Sequence, residues 1–477
     1  MTESAGPRAA VIGAGPMGLA VAYELAKLGH RVTIFERDNR IGGMSAHIDF
    51  DGTRIERYYH FVCAPDETTF KYLKEFQLED HLHWRDTHMG FYYNGTLHDW
   101  GSPLDLLRFP GLTLLEKLRY ALHVLRAKSI TDWHPYDAIS STEWLKRWIG
   151  PRAYDVMWRT LFHYKFYEYE DNLSAAWLGT RIKRVALSRR SIFQETLGYL
   201  EGGSEVLLER IAGRIRDLGG TIELSASVES VEVDDSRTPT RVTGVRIAGH
   251  HRPFDVVVST IPLPYVVPLI PGLPTDEKAR IAAIENVGIV CVLLKLKRPF
   301  TRNFWININD PRIEIPGLIE YSNVNPLDGS VILYAPFYMP RTHPKYRRDF
   351  GAFIEETLAA MQLIRPDFDR GDVIASTASR YDYSQTVCTP GFYAKLPAMR
   401  SQVAGLFLAD TSHYYPEDRS ISESLRLGAH LASAPALDKS HQRRARACAR
   451  SGAPVRRGRC ARSRRAEARE LPRRPRR

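Results

Sequence analysis

Residues 9–36 read AAVIGAGPMGLAVAYELAKLGHRVTIFE. An apolar run, Ala9 to Ile12, leads into Gly13-x-Gly15-x-x-Gly18. A helix-like segment follows, and a second apolar run, Val32 to Phe35, closes on Glu36. The pattern predicts a βαβ unit that binds a dinucleotide. Gly13 permits the tight strand-to-helix turn, Gly15 lets backbone N–H groups approach a pyrophosphate, and Gly18 lets helix and strand pack closely. The helix N-terminus adds partial positive charge. Glu36 ends the second strand, where a carboxylate accepts both ribose hydroxyls and favours an unphosphorylated ribose. Ala22 and Gly29 fall where a small residue is needed against the sheet.

Further segments repeat the theme. Glu36 is followed by Arg37-Asp-Asn-Arg-Ile-Gly42-Gly43-Met44-Ser45. Gly202-Gly203 precede an amphipathic stretch with Val206, Leu207, Leu208 and Ile211. Residues 226–233 are strand-like and carry Val228, and Asp255-Val-Val-Val-Ser-Thr260-Ile-Pro262 reads as another strand. At the far end, residues 404–428 read AGLFLADTSHYYPEDRSISESLRLG: a short apolar strand, Asp410, then a loop entering a helix near Ser420.

These segments resemble the protoporphyrinogen oxidase and amine oxidase superfamily of flavoproteins, which includes phytoene desaturase-like enzymes and UDP-galactopyranose mutase. The likeness spans nearly all of residues 8–432. Its specific marks are Tyr59-His60, Gly90-Phe-Tyr-Tyr-Asn-Gly95, Gly198-Tyr-Leu-Glu-Gly-Gly203, Trp305-Ile-Asn-Ile-Asn-Asp310 and Tyr415-Pro-Glu-Asp-Arg-Ser420. The resemblance implies FAD rather than NAD. It implies that Arg37, Gly42, Gly43, Met44 and Ser45 pass under the phosphates and ribityl chain and that Val228 flanks the adenine. It brings the strand with Thr260 into the site and makes Asp410 the ribityl contact. Arg419 would hold a cofactor phosphate or a substrate anion. Ser420 and Ile421 would open a helix facing the flavin, whose N-terminus stabilises the negative charge of the reduced ring. Relatives usually carry a small residue two places after the position of Ile421. Here Glu423 stands there, and its carboxylate would disfavour that negative ring unless it points away.

The implied fold is α/β: a Rossmann-type FAD-binding domain assembled from residues 8–60, 198–284 and 396–434. An α+β substrate domain accompanies it, with a helical lobe at 61–197 and a sheet part at 285–395. Residues 114–125 and 142–149 show apolar residues at helical spacing, whereas 287–296 and 331–337 alternate as strands do. No apolar span of membrane length occurs, since the longest candidate, 256–270, is short and broken by Pro262, Pro264 and Pro268. The N-terminus lacks a signal-peptide core, and five cysteines without a C-x-x-C exclude a dithiol motif. Cytoplasmic residence is the default expectation. The net charge of +11 misleads: residues 441–477 hold 15 Arg, 2 Glu and no Lys, so the body is nearly neutral. The tail, 439–477, has no apolar periodicity and is expected to be disordered. A tether to nucleic acid or anionic membrane, a solvated tail without a role, and an aberrant C-terminus all remain open for it. It carries no weight in the functional reading, and no nucleic-acid partner is expected.

A second G-x-G-x-x-G is absent, as is a clustered Cys/His metal set. The simplest electron source is therefore an organic substrate, with O2 or another acceptor reoxidising the flavin. The resemblance supports an FAD-dependent oxidoreductase of the oxidase, dehydrogenase or desaturase type, with hydride passing to flavin N5. A redox-neutral mutase acting on a nucleotide sugar and a non-catalytic flavin protein are the alternatives. Candidate catalytic residues are His60 and Tyr59, beside the flavin by resemblance; His413, between Asp410 and the flavin-facing helix; and Lys165. A neutral His60 would serve as acid or base near pH 7, or else it is a packed core histidine. Lys165 is a solvated helix lysine or an active-site amine. Between Trp144 and Trp177 lie Trp148, Tyr154, Trp158, Phe162, Tyr164, Phe166, Tyr167 and Tyr169. They build either a lobe core or an aromatic pocket for a large apolar or cyclic substrate. The sequence leaves the oligomeric state open.

Overall fold

The computed structural model describes residues 6–433. The Arg-rich segment expected to be disordered, 439–477, lies outside them. The fold is built outward from β1 (Arg8–Ile12), α1 (Pro16–Lys27) and β2 (Arg31–Phe35). β1 carries only small and β-branched side chains after Arg8, and all of them are buried. That is the signature of a parallel strand covered on both faces. α1 begins with Pro16 at its first position, where the missing N–H costs nothing. It ends where Gly29, at φ +81°, turns the chain back. There the Gly29 and His30 N–H groups close on the carbonyls of Ala26 and Leu25.

β1 and β2 pair in parallel, Ala9 beside Val32, in a five-stranded sheet. Its order is strand Thr221–Glu223, β2, β1, strand Val256–Ser259, strand Leu406–Leu408. Three distant stretches of chain thus meet in one sheet. Side chains alternate across it. Ala9, Val11, Val32, Ile34 and Val258 pack against α1, helix Ser204–Asp217 and helix 421–433. Ala10, Ile12, Phe35 and Val257 face the three-stranded antiparallel sheet that spans Val228–Asp234, Arg241–Ile247 and His250–Pro253.

A seven-stranded mixed sheet forms the second body. Its order is Val373–Thr386, Asn286–Leu296, Val331–Met339, Gly317–Glu320, Trp305–Asn309, Met89–Tyr93, Thr96–Trp100. Alternation again sorts the residues. Val290, Val292, Leu333 and Phe337 face helix Phe350–Ile364. Ile289, Cys291, Tyr334 and Tyr338 face the helical lobe.

The lobe is smaller than expected. Residues 61–197 are not a purely helical block: hairpin 89–100 adds two strands to the large sheet, and Leu82–Thr87 pairs with Gln194–Leu200. The chain needs those strands to extend a sheet edge that would otherwise be bare at Trp305–Asn309. The helices lie between, and one of them contains a π turn, Asp155–Arg159. Asn309 enters from the sheet and donates its amide to the Val156 carbonyl, while Thr160 donates its hydroxyl to Asn309. Trp144, Tyr154, Phe162, Phe166 and Trp177 are buried core. The leucines of helix Leu114–Ser129 behave differently: Leu114, Leu115, Leu118, Leu122 and Leu125 are exposed, and the opposite face, with His123 and Ala127, packs inward. Among the described residues Cys63, Cys291 and Cys388 are buried and unpaired. No helix among them is long and apolar enough to cross a membrane.

Glycine geometry gives a stability test. A Cβ on Gly18 would sit 1.9 Å from the Gly13 carbonyl oxygen, which is backbone and cannot yield. Gly18→Ala should therefore cost about 3 kcal/mol or more. Gly213, inside helix Ser204–Asp217, has nothing within 4 Å of its added Cβ. Gly213→Ala should stabilise by about 0.5–1 kcal/mol. Urea unfolding of the two variants reads both signs.

Candidate active site

The first cradle is the turn itself. Gly13 takes φ +100°, and its N–H donates to the Phe35 carbonyl at 2.9 Å. Gly15 caps α1 without a side chain, and nothing lies within 4 Å of where its Cβ would point. The first-turn N–H groups of α1 therefore face open space, the arrangement that receives phosphate. The Gly42–Gly43 segment lies against this turn. Gly42 takes φ +109° and donates its N–H to the Ala14 carbonyl at 2.9 Å. A Cβ on Gly43 would come within 3.4 Å of the Gly15 Cα. Glu36 is held at both oxygens, accepting from the Ala14 N–H at 2.8 Å and the Asp38 N–H at 2.9 Å. Its carboxylate is thus fixed beside the turn, with lone pairs left for hydroxyl donors. Arg37 stacks 5.0 Å over the Tyr265 ring. Val228 is buried at the start of its strand.

Two residues expected to touch a cofactor also serve the protein itself. The Thr260 hydroxyl donates to the Ile12 carbonyl at 3.0 Å and buttresses the turn from behind. The buried Asp410 carboxylate accepts from the Leu263 N–H at 2.8 Å and from the Ser412 N–H and hydroxyl at 2.9 and 2.5 Å. Although burial alone would raise its pKa, the His413 ring and these donors hold it below the usual carboxylate range.

His413, the candidate between Asp410 and the helix opening at Ser420, sits in the turn that Asp410 caps. One ring nitrogen lies 3.0 Å from the Pro397 carbonyl and the other accepts from the Asp410 N–H at 3.3 Å. Both nitrogens are spent on the backbone, so the ring braces the loop. Glu423 points away from the helix start: Arg426 donates to it at 2.7 Å. Ser420 caps helix 421–433, accepting from the Glu423 N–H at 3.0 Å, and Ile421 is the first residue of that helix. The departure at position 423 is therefore absorbed by a surface ion pair.

The remaining candidates converge. His60 sits 3.3 Å from the Ser45 hydroxyl, in the 3-10 turn Gly43–Ser45 that also carries Met44. Its backbone N–H donates to the buried Glu56 at 3.1 Å. Burial, helped by the Arg419 charge, pushes the His60 pKa down to about 4. Burial thus favours the neutral imidazole. Tyr59 meets Trp305 and Tyr334 edge to face, each at 5.5 Å. Burial holds its phenol well above the usual range. Arg419 is turned inward, donating to the Ser384 carbonyl and hydroxyl and to the Tyr338 phenol at 3.0 Å.

Lys165 is not solvated. It is 8% exposed, with its amine 5.0 Å from the Tyr338 ring, 5.6 Å from Phe166 and 5.7 Å from Trp177. No hydrogen bond or ion pair holds it among the described residues. Asp418, whose charge reaches this amine, pairs through one oxygen with Arg181 at 3.0 Å, while its other oxygen is buried without a hydrogen-bond partner among the described residues. Burial, reinforced by Arg181, lowers the amine's pKa well below the ordinary lysine value. His163, by contrast, pairs at the surface with Glu170 at 2.9 Å.

Tyr338, Ser384, Glu56 and Trp305 complete this face. Only Trp305 lay in a segment marked by sequence. Tyr338 was legible as an i, i+4 partner of Tyr334 on one face of an alternating strand; Glu56 and Ser384 carried no local signal. Four buried atoms here, the Tyr58 hydroxyl, His60 Nδ1, Trp305 Nε1 and Asp418 Oδ1, lack a hydrogen-bond partner among the described residues. Such orphans are costly unless a bound group satisfies them. With the open helix start, the fixed Glu36 and the paired glycine turns, they fit a flavin dinucleotide. No group of three or more potential ligands could hold a metal among the described residues.

A family model described as flavin-containing amine oxidoreductase matches residues 18–416. The chain is 27% identical over 324 residues to a 15-cis-phytoene desaturase from Synechococcus elongatus, covering 62% of this chain and 66% of that one. It thus spans just under two thirds of that curated relative. Its fold matches that of a candidate protoporphyrinogen oxidase from Exiguobacterium at TM-score 0.70 and 18% identity, over 92% and 100% of the two chains. A reduced UDP-galactopyranose mutase matches at TM-score 0.69 and 15% identity, over 90% and 94%.

Two measurements test the site. Gly15→Ala should leave the melting temperature of the flavin-free protein unchanged yet lower the flavin it retains, because the new methyl group occupies the space before α1. The second concerns pH. His60 has a folded pKa of about 4 against 6.5 unfolded. Below pH 6.5 the unfolded chain takes up a proton that the folded one refuses, so stability falls as pH drops from 6.5 towards 4. His60→Gln should make that slope shallower by up to about 1.4 kcal/mol per pH unit. Equal slopes in urea titrations at several pH values would refute it.

Proposed function

The chain belongs to the flavin-containing amine oxidoreductase family, a family of FAD-dependent oxidoreductases, and from that premise we propose that it removes two hydrogens from an apolar organic substrate. Gly13, Gly15, Gly18, Glu36, Arg37, Gly42, Gly43, Met44, Ser45 and Val228 hold the dinucleotide. Asp410, Ser420 and Ile421 shape the flavin end. FAD, when bound, supplies the acceptor for the hydride, and O2 or another acceptor restores it.

The observation that carries this reading is the unpaired, buried Lys165 amine among aromatic rings, beside an inward-turned Arg419. Burial without a paired carboxylate disfavours the charged form of this amine and so favours the free base that can accept a proton. Lys165 removes the proton from the carbon next to the one that gives up the hydride. The edge-to-face cluster of Tyr59 with Trp305 and Tyr334, next to the Lys165 amine on Tyr338, is the aromatic face that would orient a flat or extended apolar substrate without hydrogen bonds. Arg419 fixes the Tyr338 phenol and keeps that wall rigid. His60 is a wall as well, since it stays neutral and its backbone is tied to Glu56. The desaturase relative supports a polyene, and the aromatic wall suits one.

Lys165→Met should retain FAD and slow flavin reduction by about 10²-fold or more. His60→Ala should slow it far less. Anaerobic mixing with polyene and amine substrates, followed by flavin absorbance, reads both. Turnover seen only after prior reduction with dithionite, and with no bleaching by any substrate, would replace this reading with a redox-neutral one.

A further inference from the structure

The helical lobe carries a surface that its own packing does not explain. On helix Leu114–Ser129, Leu114, Leu115, Leu118, Leu122 and Leu125 are 73, 65, 58, 50 and 63% exposed. At the helical period of 100° per residue these five fall within one arc of about 100°. Leu104 and Leu107 on the preceding helix, Pro103–Arg108, are also exposed. The Lys117 amine donates to the Leu107 carbonyl at 2.6 Å and ties the two helices together. Ile192 and Phe193 stand exposed at the tip of the hairpin between strands Arg189–Ser191 and Gln194–Leu200. Arg189 anchors that hairpin to the Gly101 carbonyl at 2.7 Å, just before the first of these helices. Three neighbouring segments therefore present large aliphatic or aromatic tips to the outside. Scattered single leucines need no explanation, but a contiguous set of this size does.

Charge identifies the occupant. The leucine arc is edged by Lys117 and Lys128 on one side and by Arg119 and Arg126 on the other. Arg108 and Lys128 are exposed and have no acidic partner among the described residues. The one acid of the helix, Glu116, lies on the far side and is paired with Arg152. A leucine face between two basic edges, with no Trp or Tyr anchor on it, is what an anionic lipid surface receives; a protein partner's hot spot would be centred on such an anchor. We propose that helices Pro103–Arg108 and Leu114–Ser129, with the hairpin tip, dock the protein on an anionic bilayer. The leucines enter the acyl boundary while the basic edges meet the headgroups. This is attachment to one leaflet and needs no spanning helix. It holds whatever the substrate is.

Vesicle flotation of the full chain tests it. The vesicles are phosphatidylcholine alone, or with about a third phosphatidylglycerol. Binding by the Arg-rich segment 439–477 is coulombic and is screened at about 0.5 M salt, where the Debye length is about 4 Å. Binding by the leucine face is not. Wild type should float with the anionic vesicles and stay bound at that salt. The triple variant Leu118→Gln/Leu122→Gln/Leu125→Gln should lose about ten-fold in bound fraction at high salt, with melting temperature and flavin content unchanged. Arg108→Glu/Lys128→Glu should weaken binding at low salt. Equal flotation of the triple variant and wild type at high salt would overturn the proposal. So would failure of wild type to float at low salt, or a lipid-free dimer that the triple variant dissolves, which would make the face a self-association surface.

Discussion

The structure depends on one close approach. Gly18 on α1 passes so near the Gly13 carbonyl that no side chain fits between them. That contact fixes the start of α1 directly over the end of β1. It leaves the first-turn N–H groups pointing outward, with Gly15 bare before them. The Gly42–Gly43 turn then lies back onto the same loop through the Gly42 to Ala14 hydrogen bond. Two positive-φ glycines permit that fold-back; a Cβ at Gly42 would meet Ala46 backbone at 2.8 Å. The cradle before α1 is thus a packing consequence of five glycines, Gly13, Gly15, Gly18, Gly42 and Gly43, and Glu36 is locked beside it by two backbone donors.

The second body is placed by alternation. In strand Val331–Met339 every residue is buried, so hydropathy alone does not tell which face is which. The pleat does: Tyr334 and Tyr338 look to the helical lobe, Phe337 to the back helix. The polar tips of the two tyrosines therefore meet the cleft side, where Arg419 and Glu56 receive them. Lys165 arrives on the short helix Thr160–Phe166 just after the π turn. A π turn shifts the helix register by one residue, and Asn309 supports the turn from the sheet. The buried amine thus depends on contacts from two elements far apart in sequence.

This separates what the sequence could show from what it could not. The βαβ unit, the Gly-Gly turn, the strand ending at Asp410 and the helix opening at Ser420 were legible, because each rests on local conformational need or period. The hairpin 89–100 was hidden inside a segment read as helical, since joining a distant sheet leaves no local mark. The backbone atoms that His413 and Thr260 bond are invisible in sequence. The outward leucines of helix Leu114–Ser129 show the same limit. Apolar residues at helical spacing reveal an amphipathic helix without saying whether its apolar face turns inward. For Lys165, a basic residue in an aromatic-rich helix is normally solvated; only tertiary packing removes its water.

Glu56 shows why His60 is better understood as architecture than as chemistry. Its carboxylate is 2% exposed and accepts from the backbone N–H groups of His60 and Ser204 and from the Tyr321 hydroxyl at 3.4 Å. The Tyr334 hydroxyl donates to its carbonyl at 2.6 Å. One residue therefore joins the loop after the glycine turn, the start of helix Ser204–Asp217 and the large sheet. His60 stands where that knot puts its backbone, and burial around its ring disfavours the charged form. A ring whose charged form is disfavoured adds shape and a neutral hydrogen-bond partner to its surroundings.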